Sequence, residues 1–197
     1  MKVIVLSGTP GTGKTKISKE IAKLINAKVI TLNELAISEN FVIKYDKQRD
    51  TSIIDEEKII SYLEKRIRSL NNEGLEFLII ESHFSDIVPD KYIDYAFILR
   101  CDPDILRERL KKRGYKKEKI VENIQSEILG NCVNYFMKKQ IKNPLLEIDT
   151  TDLDLETEIN VIIRIIAEEE DIENYYAGQI DWLEKIFKEN RLSEFFD

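Results

Sequence analysis

The stretch "LSGTPGTGKTK", Leu6 to Lys16, crowds Gly8, Gly11 and Gly13 into the approach to Lys14 and Thr15. Glycine is costly to order and brings no side chain to pack, so three of them this close imply a backbone with a task. Gly8-x-x-x-x-Gly13-Lys14-Thr15 fits the phosphate-loop pattern. It follows an apolar run, "VIVL" (Val3–Leu6), and precedes a helical pattern over Lys14–Ile25, which is the context the pattern requires. A strand, a glycine turn and a helix in that order turn successive N–H groups inward as an anion nest, with the positive end of the helix dipole behind them. Gly8, Gly11, Thr12, Gly13, Lys14, Thr15 and Lys16 are therefore the candidate nucleotide-binding residues. Lys14 is expected to reach the β- and γ-phosphates of ATP, and Thr15 to offer its hydroxyl to Mg²⁺.

Working outward, short β-branched runs alternate with longer helical patterns. "KVIT" (Lys28–Thr31), "FLII" (Phe77–Ile80), "YAFIL" (Tyr95–Leu99) and "LLEI" (Leu145–Ile148) read as further strands, most of them apolar without alternation, as strands covered on both faces should be. Helices are expected over 55–72, Pro103–Arg113, Lys116–Lys139 and Glu156–Glu169. Such alternation implies a doubly wound α/β domain with a parallel sheet and right-handed crossovers. After the acidic run Glu168–Asp171, "IDWLEKIF" places Ile180, Leu183, Ile186 and Phe187 at helical spacing with Trp182 beside them. That pattern reads as a terminal helix packed on the sheet, with partner docking as the alternative. The domain reading is 1–170 for the P-loop unit and 171–197 for a C-terminal helical extension.

Composition narrows the class. With 197 residues and a net charge of −7, the chain is long enough for a core of its own and is no general nucleic-acid coat protein. The segment 100–119 is strongly basic, either as solvated helix faces or as a surface that meets phosphates. Cys101 and Cys132 are the only cysteines and show no metal-ligand spacing, so they read as buried thiols of a reducing compartment. "KVIVL" is too short for a signal-peptide core, and no apolar run is long enough to span a membrane. A cytoplasmic protein without a membrane partner is expected.

Two more elements carry chemistry. In "FLIIESHFSD", Glu81 ends an apolar strand expected to lie beside the P-loop strand, where a carboxylate serves the metal's ligand shell. His83, the only histidine, stands two residues on and suits water orientation or proton relay near neutral pH. In "RERLKKRGY", Arg109 and Arg113 are four residues apart and are expected on one helix face, bracketing the transferring phosphoryl group, with Gly114 as cap or hinge. The candidate catalytic set is thus Lys14, Glu81, His83, Arg109 and Arg113. Switch GTPases need an Asn-Lys-x-Asp base-reading motif, which is absent. Ring-forming ATPases share the "GTPGTGKT" loop but usually carry two adjacent acids after the third strand and a further helical domain, and this chain has one acid there and little room.

Taken together, "GTPGTGKT", "YDKQRDTSIIDEEKI", "IIESH" and "FILRCDPDILRERLKKRGYKKEKIVENIQSEI" resemble the adenylate-kinase-like ATPases of small-ribosomal-subunit maturation, the family of the coilin-interacting nuclear ATPase and its archaeal and yeast relatives. The resemblance covers 1–128 well, and its most specific block is 99–128. It implies a P-loop NTPase of the nucleoside monophosphate kinase type, with a five-stranded parallel sheet and helices on both faces. It also implies ATP on the P-loop with Arg113 over it, a monophosphate-binding segment at 31–54 and a lid at 112–122. Adenylate kinase activity, ATP hydrolysis and binding to a small-subunit ribosomal protein, with pre-ribosomal rRNA reached indirectly, complete what it implies.

Two departures qualify it. The family's strand end reads Asp-x-His and here is Glu81-Ser82-His83, so the carboxylate sits one methylene further out. The arginine that grips the AMP phosphate in ordinary adenylate kinases is replaced by Ile37, and "ESHFSDIVPDK" supplies no second one. Asp46 and Asp50 make that region acidic, with Lys44 or Arg49 as compensating cations. Repulsion of a dianionic phosphate there implies weak monophosphate kinase turnover, with hydrolysis or ATP-driven switching at least as important.

Overall fold

The computed structural model describes residues 1–47, 51–152 and 154–196. Arg49 and Asp50, weighed above, lie outside the described residues. In chain order, the first half comprises β1 (Lys2–Gly8), α1 (Lys14–Leu24), β2 (Lys28–Thr31), α2 (Leu32–Ser38), β3 (Val42–Asp46), β4 (Thr51–Ile54), α3 (Glu56–Asn72) and β5 (Phe77–Glu81). There follow β6 (Tyr95–Arg100), α4 (Pro103–Lys112), α5 (Lys117–Ile128), α6 (Asn131–Lys139), β7 (Leu145–Asp149), α7 (Leu155–Ile166), α8 (Trp182–Lys188) and α9 (Ser193–Phe196).

Five strands form one parallel sheet in the order β2-β5-β1-β6-β7. Strand residues alternate between two cores. Val3, Val5, Leu78, Ile80, Ala96 and Ile98 face one side, where α2, α3 and α6 cover them with Leu32, Leu63, Ile67 and Phe136. Ile4, Leu6, Ile79, Phe97 and Leu99 face the other, under α1 and α7 with Ile17, Ile21, Ile162 and Ile165. Burial on both faces explains why these strands read as unbroken apolar runs. The expected five-stranded, doubly wound arrangement is the one observed. β1 pairs with β5 on one side and β6 on the other, so Glu81 lies beside Leu6, at the mouth of the phosphate loop.

Three expectations need correction. The helix expected over Lys116–Lys139 is two, because Gly130 adopts φ +61° and turns the chain between α5 and α6. The terminal helix does not pack on the sheet. In α8, Trp182 and Ile186 are buried while Leu183 and Phe187 are exposed, and Ile186 joins Leu106, Leu110, Ile120, Ile124 and Phe195 in a third small core against α4 and α5. Helices α8 and α9 therefore pack against α4 and α5. Finally, Arg100 in the basic stretch neither faces solvent nor meets phosphate. It is 3 % exposed and paired with Glu127 and Glu147. The two cysteines are buried free thiols, as read from sequence.

Candidate active site

The site grows from the end of β1. Gly8 has φ +135°, and a Cβ there would come within 2.4 Å of the Leu99 carbonyl oxygen, so only glycine lets the loop leave the strand this close to β6. Gly13, at φ +102°, caps the N-terminus of α1 and leaves that helix's first N–H groups facing the loop. Inside the curl, Lys14 Nζ donates to the carbonyls of Gly8 at 2.6 Å and Thr9 at 3.1 Å. Thr12 Oγ1 donates to the Thr9 carbonyl at 3.0 Å. Lys14 is buried, and burial lowers its pKa, so this ammonium lacks an anionic partner that matches its desolvation cost.

At the mouth of the loop, Thr15 Oγ1 donates to Glu81 Oε1 at 3.1 Å, and Thr31 Oγ1 donates to the same oxygen at 3.0 Å. A hydroxyl and a carboxylate side by side are hard oxygen donors of the kind Mg²⁺ takes, so Thr15 and Glu81 fit that ion despite the extra methylene. A cavity of about 590 Å³ opens above them. Gly11, Gly13, Lys14, Thr15 and Lys16 form its floor, Glu81, Ser82 and His83 one wall, and Arg113, Tyr115, Lys119 and Asn123 the roof. Thr31, Asn33, Glu34 and Thr51 extend it toward α2 and the β3–β4 hairpin.

His83 stands at this wall, in edge contact with the ring of Phe84. Partial withdrawal from water between the cavity walls, followed by the charges of Lys14 and Lys119, pushes its pKa down to about 4. Near neutral pH the imidazole is uncharged and acts as a hydrogen-bonding group.

The two arginines expected on one face are separated. α4 ends at Lys112, so Arg113 falls in the turn before Gly114 (φ +73°) and lines the cavity. Arg109, still on the helix, turns away and donates to the Thr150 carbonyl at 2.7 Å and to Thr150 Oγ1 at 3.3 Å. Thr150 Oγ1 in turn reaches the Thr12 carbonyl at 3.2 Å, so Arg109 buttresses the phosphate loop from behind. Ile37 is exposed on α2, and neither Lys44 nor Asp46 lines the cavity. Among the described residues, the lining cations are Lys14, Lys16, Arg113 and Lys119, and none comes from the α2 or hairpin side. Sequence reasoning placed Lys119 in the basic stretch 100–119 but left it out of the candidate site set, and it missed Asn123, one turn further along α5.

Behind Arg109 stands a carboxylate that the sequence reading passed over. Glu158 on α7 is 6 % exposed, and burial pushes its pKa up to about 7, against the opposing pull of Arg109 and Lys16 and with the help of Asp154 and Asp149. An unfolded glutamate titrates near 4.5. Between these values the folded state holds the extra proton, so stability falls as pH rises from about 4.5 to about 7 and stays low above it. Glu158→Gln is expected to remove that decline and to raise stability at pH 8 by up to about 3 kcal/mol. Urea unfolding at pH 5 and pH 8 measures it, and equal pH dependence in the two proteins would refute the assignment.

The chain is similar to known proteins in sequence and in fold. A family model described as "AAA domain" matches residues 4–130. A protein of Methanocaldococcus jannaschii, named "Putative adenylate kinase", is 38% identical over 184 residues, spanning 93% of this chain and 94% of its own. One of Archaeoglobus fulgidus with the same name is 35% identical over 196 residues, 98% and 97% of the two chains. Among solved structures, deoxyadenosine kinase from M. mycoides with bound dATP superposes with a TM-score of 0.52 at 21% identity, covering 85% of this chain and all of that one, a likeness of fold. The protein therefore belongs to this AAA-domain family of P-loop proteins.

Proposed function

We propose that the protein is a Mg-ATP-dependent phosphotransferase that passes the γ-phosphoryl group of ATP to AMP or to water. The observation that carries this is the joint placement of Lys14, held over the glycine loop, and Thr15 on Glu81, at the floor of one cavity. Mg²⁺, held by Thr15 and Glu81, would supply charge neutralisation on the β- and γ-phosphate oxygens. The amides of the loop and the Lys14 ammonium bind the triphosphate chain, and Arg113 stabilises charge that spreads over the γ-phosphoryl group. An oxygen of the AMP phosphate forms the new bond to the γ-phosphorus, or water does so and passes a proton to the released phosphate. The bond from that phosphorus to the β–γ bridging oxygen breaks, and its electron pair leaves with ADP. Uncharged His83 orients the attacking oxygen, and the roof from Arg113 to Asn123 excludes bulk water. The names of the relatives support the kinase half.

Hydrolysis accompanies transfer because the α2 side of the cavity offers Asn33, Glu34, Thr31 and Thr51 but, among the described residues, no cation to grip an acceptor phosphate. A second proposed role is nucleotide-gated binding of a small-subunit ribosomal protein in the cytoplasm. The chain from Glu147 onward is rich in acids, which complements a basic partner, and the sequence resemblance points to that partner class. ADP formation from Mg-ATP, with and without AMP and other monophosphates, tests the reading. AMP is expected to raise the rate modestly above hydrolysis and more than other monophosphates do. A rate indifferent to AMP would remove the kinase half and leave the gated hydrolase. A partner pull-down that ignores nucleotide would remove the gate.

A further inference from the structure

Glu127 lies in the last turn of α5, 2 % exposed and outside the cavity lining. Its Oε2 accepts the Thr9 hydroxyl of the phosphate loop at 2.5 Å. Its Oε1 accepts Arg100 Nε at 2.8 Å, the Cys101 N–H at 3.1 Å and the indole Nε1–H of Trp182 at 3.3 Å. Trp182 opens α8, in the segment after residue 170, and is itself 8 % exposed. A second carboxylate ties the same segment in: Glu147 Oε2 accepts the N–H groups of Gly178 at 2.7 Å and Gln179 at 3.2 Å, while its Oε1 pairs with Arg100. One buried carboxylate thus joins the C-terminal segment to the residue whose carbonyl holds Lys14 and Thr12.

We infer that Glu127 is a positioning residue for the phosphate loop, and that the C-terminal segment, through the Trp182 indole, is part of the apparatus that sets nucleotide affinity. The inference rests on the proposed binding of ATP at the loop. In a low-dielectric network the donors on one carboxylate polarise and place it together, so a donor lost at Oε1 is felt at Oε2. Thr9 is then held less firmly, and with it the carbonyl that sets the Lys14 ammonium. Among the described residues, no side chain of the C-terminal segment lines the cavity, so its effect on nucleotide passes through this carboxylate.

The test is calorimetric titration of the full chain with Mg-ATP, with thermal unfolding of each protein alongside. Trp182→Phe keeps an aromatic ring but removes the N–H together with the indole's second ring, and Thr9→Val keeps the shape and removes the hydroxyl. Each is expected to weaken Mg-ATP about threefold to tenfold, the usual worth of such hydrogen bonds. The double variant is expected to fall short of the product of the two, because both act through Glu127. Thr9→Ser is expected to restore affinity. Arg191→Ala loosens the same segment by breaking its pair with Asp104, a contact that does not include the indole, and is expected to lower the unfolding temperature without changing the Kd. Unchanged affinity in Trp182→Phe, multiplicative losses in the double variant, or an equal loss in Arg191→Ala would overturn the inference. A wild type that binds no Mg-ATP would overturn the proposed function beneath it, and this inference with it.

Discussion

Lys14→Ala is expected to lower ATP turnover by roughly 10²–10³-fold, the loss that follows removal of one preorganised charge from a transferring group. The structure gives the reason. Lys14 Nζ is aimed at the centre of the loop by two carbonyls, is buried, and has a pKa lowered by that burial. Its ammonium is held where the protein's own groups do not fully offset the loss of water. A triphosphate bound there would meet a stronger field within the cavity than in solvent. The fold should survive the change, because the variant removes a costly buried charge along with its two hydrogen bonds. Apo stability is expected to move by no more than about 1 kcal/mol in either direction. Lys14→Arg is expected to fail almost as badly, since a planar fork does not occupy the seat of a point charge. Steady-state ADP formation, set beside thermal unfolding of the same samples, checks both halves. A variant that turns over normally would remove Lys14 from the chemistry.

Arg100→Met is expected to have the largest effect on stability, about 3–5 kcal/mol, because it leaves the buried carboxylates of Glu127 and Glu147 without their counter-charge. For a chain of this length that corresponds to a fall of roughly 10 °C in unfolding temperature. The exposed pair between Lys188 and Glu184 provides the contrast: both side chains are more than half open to solvent, and Lys188→Ala should change stability by no more than about 0.5 kcal/mol. The difference is one of solvation. At the surface water replaces the lost partner, and between β6, α5 and β7 nothing does. Chemical denaturation of the two variants decides it, and equal losses would contradict the network described here.

The part of the fold that places the phosphate loop was legible because several signals coincided there. Val3–Leu6 is apolar without alternation, the glycines follow at once, and the helical pattern resumes at Lys14, so strand, turn and helix each confirmed the others. Glu81 was legible for the same reason, as an acid closing an unbroken apolar run. The β3–β4 hairpin was not. Ile43, Lys44 and Tyr45 are all exposed, so burial left no period-two imprint on that segment. The break at Gly130 was masked because Ile124, Ile128, Cys132 and Phe136 keep a helical spacing straight across it. Arg109 and Arg113 misled because Arg109 is drawn to the Thr150 carbonyl while Arg113, the C-cap of α4, lines the cavity. The buried network left a trace that was passed over. An acid inside "LLEI", an acid between core isoleucines in "NIQSEI" and an arginine closing "FILR" are three charges at core positions, and charges at core positions find one another.

The central claim is that the amides at the end of β1 and the ammonium of Lys14 form a cup for a triphosphate chain. A crystal structure grown with Mg²⁺ and a non-hydrolysable ATP analogue tests it most directly. The β- and γ-phosphates should lie within hydrogen-bonding distance of Lys14 Nζ and the N–H groups from Gly11 to Lys16, with the ion on Thr15 Oγ1 and Arg113 folded over the γ-phosphate. A loop that stays empty under saturating analogue, or an analogue bound elsewhere on the protein, would contradict the account.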